Sequence, residues 1–214
     1  MNKNENFYSG SKAKMNLEEQ KKMMLVGQIY DDLTEEVIEA RENAVIKTNE
    51  FNASFGKPME ERMLLLKGLL KSVGNNVHFE PGFRCEFGFN IVIGDNFYAN
   101  FDCVMLDGGR IEIGNNVLLG PRVGMYTSNH AFDAWERQNG ACVAKPITIG
   151  NNVWIGGGVT INQGVTIGDN SIIGSGSVVT KSIPANVIAA GVPCRVIRAI
   201  TEEDKSGYVP YHKQ

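Results

Sequence analysis

Apolar and polar positions follow two different rhythms along this chain. In the first part, Met59, Met63, Leu66, Leu70 and Val73 succeed one another by four, three, four and three positions. This spacing puts them on one face of an amphipathic helix. From about residue 74 onward the apolar positions recur every six residues instead. The pattern therefore predicts a helical segment followed by a repetitive structure of another kind.

The predicted helical segment has local start and stop signals. Thr34 precedes Glu35 and Glu36, which is typical of a helix N-cap followed by acids that suit a helix N-terminus. The residues Val37, Ala44 and Val45 are expected to share a face of that helix. The run GKPM at 56–59 separates it from the helix that begins near Met59, and that second helix is expected to reach Val73.

The six-residue repeat is strictest between residues 149 and 183. An apolar residue recurs at Ile149, Ile155, Ile161, Ile167, Ile173 and Val179, and a small or β-branched residue recurs at Val153, Val159, Val165, Ser171, Ser177 and Ile183. An earlier stretch keeps the same period and gains two residues near Gly108 and Gly109. Because a six-residue strand cannot bury its own apolar face, a strict period implies stacked turns. Three such steps make one triangular turn of a parallel β-helix.

Four segments follow from these patterns. We expect a flexible arm over 1–14, a helical segment over 15–73, a β-helix over 74–198 with an inserted loop at 131–146, and a C-terminal tail over 199–214. The fold class is thus mainly β with a short N-terminal α-helical segment.

Composition narrows the possible functions. The chain has 214 residues, a formal net charge of −3 and no run of 18 apolar residues, so binding of nucleic acid by bulk charge and a membrane span are not expected. The polar N-terminus lacks the pattern of a signal peptide. Four cysteines, none in a CxxC pair, predict a reducing, cytoplasmic location without disulfides. Cys85 and Cys103 are expected to stack in adjacent turns.

A candidate catalytic base is found among only three histidines. His212 lies in the charged tail and His78 just before the repeat, whereas His130 lies where the repeat gives way to a polar insertion. Loops that leave a rigid framework often carry function, and histidine is the usual base near neutral pH. On these grounds alone His130 fits a catalytic base and a structural histidine equally.

Several longer strings resemble the maltose/galactoside O-acetyltransferases. They are GQIYDD at 27–32, NFYANFDCVMLD at 96–107, YTSNH at 126–130, PITIGNNVWIG at 146–156 and AGVPCRVIR at 190–198. The resemblance covers residues 16 to 200 and implies a left-handed β-helix, although parallel crossovers are generally right-handed. It also implies transfer of acetyl from acetyl-CoA to a sugar hydroxyl by a homotrimer with active sites between subunits.

The resemblance assigns roles to individual residues. It makes His130 the base, and it places Asn100 at the reaction centre, where either its amide or the backbone N–H of Gly157 would stabilise the oxyanion. The positions implied for the acceptor are Asp32, Glu86, Asn100, Asp107 and Trp154, and those implied for coenzyme A are Gly157, Ser175, Thr180, Lys181, Arg195 and Arg198.

Two positions depart from the family pattern. Some relatives have a serine at the position of Glu86 and an acid at the position of Gly108. These departures favour a maltose- or glucose-like acceptor over a galactoside. An amino sugar, a lipo-chitooligosaccharide or a xenobiotic stays open as the acceptor.

We expect direct transfer without a covalent intermediate, because Cys103 and Cys142 have no base adjacent in sequence. No metal is expected to be required for catalysis. A zinc enzyme of the γ-carbonic-anhydrase type would need three converging histidines, and a non-catalytic trimeric platform would not need the His130 segment or the late basic cluster.

Overall fold

The structure is a computed structural model, and it describes residues 16–211. The predicted arm at 1–14 and His212 lie outside the described residues. The helices are α1 (Leu17–Val26), α2 (Glu35–Ala53), α3 (Met59–Leu69) and α4 (Ala134–Gln138), with a 3₁₀ turn at Glu202–Asp204.

The helical segment forms largely as its sequence predicts. The side chain of Thr34 accepts a hydrogen bond from the Val37 N–H at the start of α2. Ala44 faces the core as expected, but Val45 is exposed, so its predicted place on the buried face is wrong. The prediction that α3 reaches Val73 is also wrong. The helix ends at Leu69, because Val73 is hydrogen-bonded into the first strand of the β-helix.

The remaining elements are short strands. In chain order they are β1 (Tyr30–Asp31), β2 (Ser72–Val73), β3 (His78–Phe79), β4 (Arg84–Cys85), β5 (Ile91–Ile93), β6 (Tyr98–Ala99), β7 (Val104–Leu106), β8 (Ile111–Ile113), β9 (Leu118–Leu119), β10 (Gly124–Tyr126), β11 (Ser128–His130), β12 (Ala141–Ala144), β13 (Ile147–Ile149), β14 (Trp154–Ile155), β15 (Thr160–Asn162), β16 (Thr166–Ile167), β17 (Ile172–Ile173), β18 (Val178–Val179), β19 (Val187–Ala190) and β20 (Arg195–Ala199).

Three sheets form the faces of a parallel β-helix, as the six-residue period predicts. Their orders are β2-β5-β8-β13-β16, β4-β7-β10-β15-β18 and β3-β6-β9-β14-β17-β19-β20, and only β20 joins antiparallel. The apolar positions of the repeat point inward, so Ile149, Ile155, Ile161, Ile167, Ile173 and Val179 are all at most 1% exposed.

The strand register shows where turns gain residues. Ile91 pairs with Ile111, Ile111 pairs with Ile147, and Thr148 pairs with Thr166, so successive turns are 20, 36 and 18 residues apart. The 20-residue turns overturn one prediction. Cys85 pairs with Met105 rather than stacking on Cys103, and all four cysteines are free.

One corner of the β-helix is closed by a ladder of asparagines. The ladder consists of Asn76, Asn96, Asn116, Asn152, Asn170 and Asn186, all with positive φ between 53° and 59°. Each side-chain amide donates to the carbonyl oxygen of the next asparagine at 2.9–3.0 Å. Asparagine tolerates the left-handed conformation better than other non-glycine residues, so the repeated Gly-Asp/Asn-Asn motif closes each turn at this corner.

The 36-residue turn contains the insertion. The chain leaves the β-helix after β10, runs through β11 and α4, and returns through β12. With β1 these strands make a separate antiparallel sheet of order β1-β12-β11. Between residues 16 and 211, no helix is both long and apolar enough to cross a membrane.

Candidate active site

The three-stranded sheet gathers residues that are far apart in sequence. Tyr30 of β1 and His130 of β11 both pair with Cys142 of the central strand β12. Asp32 follows β1, and its N–H donates to the Gly140 carbonyl at 2.8 Å. The backbone pairing therefore places the side chains of Asp32, His130 and Cys142 together, with one donor atom of each within 4.8 Å of the others.

His130 contacts a thiol. Its Nδ1 lies 3.0 Å from the sulfur of Cys142, which is 3% exposed. Burial, reinforced by the charges of Asp32 and Glu86, raises the pKa of this thiol to about 12. Cys142 has no base adjacent in sequence, but the fold places the imidazole of His130 next to its sulfur. The sulfur nevertheless stays protonated near neutral pH, so this contact does not create a thiolate nucleophile.

An arginine links the two acids expected at the acceptor site. Arg41 of α2 forms an ion pair with Asp32 and lies 3.5 Å from Glu86 Oε1. The guanidinium also lies over the ring of Phe87, 5.6 Å from its centroid. Sequence reasoning missed Arg41, because nothing in the spacing of an otherwise polar helix distinguishes it from solvated charges.

The pKa of Glu86 is shifted by its surroundings. Burial raises the pKa of its carboxyl to about 7, and the nearby acids Asp107 and Asp32 add to the effect, whereas Arg41 opposes it. Its Oε2 is buried and has no hydrogen-bond partner among the described residues. A buried acceptor without a partner is costly, which agrees with the raised pKa of this carboxyl.

Asp107 is held by backbone hydrogen bonds, whereas Glu86 lies near the guanidinium of Arg41. It is fully buried, and its carboxylate accepts hydrogen bonds from the N–H groups of Phe87, Gly88 and Asn90 at 2.9–3.1 Å. Those bonds fix the loop that follows Glu86. The direct contact of Asp107 with an acceptor therefore stays a prediction, while its role in positioning Glu86 follows from these bonds.

The departure at Gly108 has a structural explanation. A Cβ at this position would clash with Ser128 Oγ and lie 2.7 Å from the hydroxyl of Tyr30. These two side chains are joined by a hydrogen bond of 3.3 Å, and burial raises the pKa of the Tyr30 hydroxyl. The space next to residue 108 is thus filled by neutral hydroxyls, and a carboxyl group is found at position 86 instead.

Other predicted residues lie on the seven-stranded face. Asn100 follows β6, its side-chain oxygen accepts from the Phe101 N–H at 2.8 Å, and its amide nitrogen makes no hydrogen bond within residues 16–211. Trp154 of β14 is 53% exposed. In the same part of the chain, the N–H of Gly157 has no acceptor. No hydrogen bond or ion pair joins Asn100 or Trp154 to His130 within one chain, as far as residues 16–211 are concerned.

Most of the residues expected to bind coenzyme A are exposed. Gly157 is half-buried, and Ser175, Thr180 and Lys181 are exposed at turns. Arg195 donates to the Cys194 carbonyl at 2.9 Å. Arg198 makes two hydrogen bonds of 2.8 and 2.6 Å to Asp204, which lowers the pKa of that carboxyl to about 2.

The other described histidine has a structural environment. His78 stacks on Tyr98 with 5.6 Å between ring centroids, and its Nε2 lies 3.4 Å from Glu80 Oε1. It lies on β3, apart from the three-stranded sheet, so the structure places His78 and His130 in different surroundings.

Two family models match the chain. Residues 146–181 match the bacterial transferase hexapeptide model of six repeats, and residues 23–74 match the maltose acetyltransferase hexapeptide capping motif. The galactoside O-acetyltransferase of Escherichia coli K12 is 48% identical over 187 residues, which is 87% of this chain and 92% of that protein.

Solved structures agree. The chain resembles a crystal structure of a maltose O-acetyltransferase from Clostridium difficile 630, with a TM-score of 0.82 and 46% identity over 89% of this chain and 100% of the other. A galactoside acetyltransferase in complex with coenzyme A gives the same score and identity over 91% and 98%. The N-terminal helices and the β-helix are therefore shared with these proteins as one unit.

Proposed function

Because the chain belongs to the maltose/galactoside O-acetyltransferase family of hexapeptide-repeat proteins, we propose that it transfers an acetyl group from acetyl-CoA to a hydroxyl of a sugar or glycoside. The observation that carries this proposal is the position of His130. It lies at the edge of the insertion sheet, beside the charged cluster of Asp32, Arg41 and Glu86.

In the proposed reaction His130 acts as the general base. Its Nε2 removes the proton of the acceptor hydroxyl as the oxygen attacks the thioester carbonyl. The tetrahedral intermediate then expels the thiolate of coenzyme A, which takes the proton back from the imidazolium. For Nε2 to accept a proton, Nδ1 must carry the hydrogen, so Nδ1–H donates to the sulfur of Cys142. Cys142 is thereby proposed as a positioning residue that holds the imidazole ring in this orientation.

The environment of the thiol supports direct transfer. A cysteine nucleophile needs a lowered pKa, whereas burial and two nearby carboxylates raise that of Cys142. An acetyl-enzyme on Cys142 is therefore disfavoured. Initial-rate kinetics should show both substrates bound together, and a ping-pong pattern would contradict direct transfer.

The acceptor is proposed to bind over the charged cluster. The unpartnered Oε2 of Glu86 supports this placement, because a sugar hydroxyl would satisfy it. The shift of the acid from position 108 to Glu86 favours a maltose- or glucose-like acceptor. Asp32 would hold a second hydroxyl, with Arg41 keeping both carboxylates in place.

Completion of the site is proposed to need a second subunit. Asn100, Gly157 and Trp154 lie on or beside the seven-stranded face, whereas His130 lies in the insertion sheet. An exposed apolar ladder runs along this face and includes Leu118 at 49% and Trp154 at 53% exposed. Apolar surface of this kind marks contact sites. A homotrimer would bring this face of one subunit against the insertion sheet of its neighbour, where Asn100 or the free Gly157 N–H would stabilise the oxyanion.

The phosphates of coenzyme A are proposed to bind the basic residues at the end of the β-helix. Lys181 and Arg195 are exposed cations, and Arg198 presents a planar donor pair that is now paired with Asp204. Ser175, Thr180 and Gly157 would contact the pantetheine arm.

The first experiment measures release of free coenzyme A with a thiol reagent. Acetyl-CoA is supplied with glucose, maltose, galactosides, amino sugars, a chitooligosaccharide and chloramphenicol in turn. Turnover with a maltose- or glucose-like acceptor is expected. Turnover only with an amino sugar or chloramphenicol would refute the acceptor class, and the absence of both turnover and calorimetric acetyl-CoA binding would refute the transferase assignment.

A further inference from the structure

We propose that Asp32, His130 and Cys142 form a reversible Zn²⁺ site, and that zinc bound there switches the enzyme off. The first half of the proposal depends only on the three side chains. The inhibitory half also rests on the proposed role of His130 as the base.

The geometry of the three donors suits a transition metal. A carboxylate oxygen, an imidazole nitrogen and a thiol sulfur lie within 4.8 Å of one another. Zinc bonds of about 2.0 Å to nitrogen and 2.3 Å to sulfur at a tetrahedral angle place those two ligand atoms about 3.5 Å apart. The thiol and Nδ1 are 3.0 Å apart in this structure, so a small rotation of either side chain opens the pair enough.

The backbone keeps the donors in place. Cys142 lies in the central strand of the insertion sheet, His130 pairs with it in β11, and Asp32 follows the strand on the other side. Two donors on paired strands and a third directly after the next strand are held more rigidly than donors on loops alone. The fourth tetrahedral position would be filled by water.

The surrounding charge favours a dication. Among the described residues, Arg41 contacts both Asp32 and Glu86, and Asp107 lies near enough to raise the pKa of the Glu86 carboxyl. Such a cluster of acids destabilises a lone thiolate, but it suits a dication such as Zn²⁺, and a thiol that coordinates the metal loses its proton. Binding would release that proton to solvent and replace the contact of Arg41 with Asp32, while leaving its contact with Glu86.

The donor set also selects the metal. Mixed sulfur, nitrogen and oxygen ligands suit Zn²⁺ or Co²⁺, whereas Mg²⁺ and Ca²⁺ require oxygen ligands. The set has only one histidine and thus differs from a three-histidine zinc enzyme. His78, the other histidine of the described range, is on a separate strand beside Glu80.

Binding of zinc to Nδ1 would prevent His130 from acting as the general base. When Nδ1 of a neutral imidazole is bound to a metal, the ring hydrogen must be on Nε2. His130 could then no longer accept the proton of an acceptor hydroxyl. Zinc would also occupy Asp32, one of the proposed acceptor contacts.

Cobalt binding tests the site without using activity. Metal-free full-length protein is titrated with Co²⁺ and the sulfur-to-cobalt charge-transfer absorption is recorded, followed by displacement with Zn²⁺. One equivalent per chain is expected. Cys142→Ser should abolish the charge-transfer band, and Asp32→Asn should weaken binding by about tenfold or more. Cys194→Ser, which changes a buried thiol elsewhere, is the matched control and should leave the spectrum unchanged.

The outcomes separate the two halves of the proposal. Absence of the band, or its persistence in Cys142→Ser, overturns the site. A band with full acetyl transfer in the presence of saturating Zn²⁺ overturns the inhibition, whereas loss of activity that a chelator reverses supports it. If the zinc-free protein transfers no acetyl group, the proposed function fails while the cobalt spectrum still decides the site.

Discussion

The β-helix and the insertion sheet satisfy their polar groups in opposite ways. In the β-helix the apolar repeat fills the interior and the asparagine ladder pairs its amides from turn to turn. In the insertion sheet and the loops beside it, Glu86 leaves a buried oxygen unpaired and His130 contacts a neutral thiol. A repeated structure can close successive turns at one corner with the same side-chain pairing, whereas a reactive site must leave groups available for a ligand. The chemistry therefore lies where the repeat is interrupted.

Replacing the proposed base in the insertion sheet should lower activity without lowering stability, and this is the largest effect that we expect. His130→Ala is expected to reduce acetyl transfer by about 10²–10⁴-fold, because a general base contributes that much, while thermal stability stays close to that of the unaltered protein. The measurement is coenzyme A release under saturating substrates. His78→Gln is the matched control, since His78 lies outside the insertion sheet. Retention of more than about a tenth of the activity in His130→Ala would exclude it as the base.

A cavity in the β-helix should have the opposite effect. Ile161 is fully buried in the repeat, so Ile161→Ala is expected to lower the free energy of unfolding by about 2–5 kcal/mol. Urea denaturation measures this loss. Activity at low temperature should change far less than in His130→Ala. A variant with unchanged stability would contradict the assignment of the repeat positions to the core.

The pH dependence of stability should report on Glu86. Its pKa is raised from 4.5 to about 7 in the folded protein, so the folded state holds more protons than the unfolded state within that range. The free energy of unfolding should then fall as pH rises from about 4.5 to 7. Glu86→Gln cannot ionise, so its stability relative to the unaltered protein should be higher at pH 8 than at pH 4.5, by about 1–3 kcal/mol.

Urea midpoints at both pH values measure this difference. Parallel pH profiles for the two proteins would show that Glu86 titrates normally. The same variant should raise the KM for the acceptor, since Oε2 is the proposed hydroxyl contact.

Substitutions at the proposed coenzyme A site should change the KM for acetyl-CoA more than kcat. Arg198→Ala is expected to raise the KM for acetyl-CoA by about tenfold with a smaller change in kcat, because phosphate contacts stabilise the ground state and the transition state alike. An unchanged KM would remove Arg198 from the cofactor site. Steady-state kinetics at saturating acceptor provide the measurement.

The smallest expected effect comes from the partner of that arginine. Asp204 holds both nitrogens of the Arg198 guanidinium in an exposed ion pair. Asp204→Asn should release Arg198 and lower the KM for acetyl-CoA by about twofold, since exposed ion pairs are weak. A raised KM would mean that Asp204 positions Arg198 for the phosphate rather than competing with it.

The sequence predicted the regular part of the molecule with few errors. A period of six specifies stacked turns, because only stacking buries the apolar face of each short strand. The local signals at Thr34 and at the breaker before Met59 located two helices. The error at Val73 arose because the apolar spacing of α3 continues into β2, where the chain is already a strand. The error at Cys103 arose because two extra residues in a turn shift the register of the pairing.

The chemistry of the site depended on contacts that periodicity does not encode. The YTSNH segment marked His130, and family resemblance supplied its role. Only the tertiary structure brought Cys142 to its Nδ1, Arg41 between Asp32 and Glu86, and two hydroxyls against Gly108. The same six-residue pattern recurs in each turn of the β-helix, so the sequence alone determines this part of the fold. The site combines residues of the antiparallel sheet β1-β12-β11 with Arg41 of α2. These residues are far apart in sequence, so only the folded chain brings them into contact.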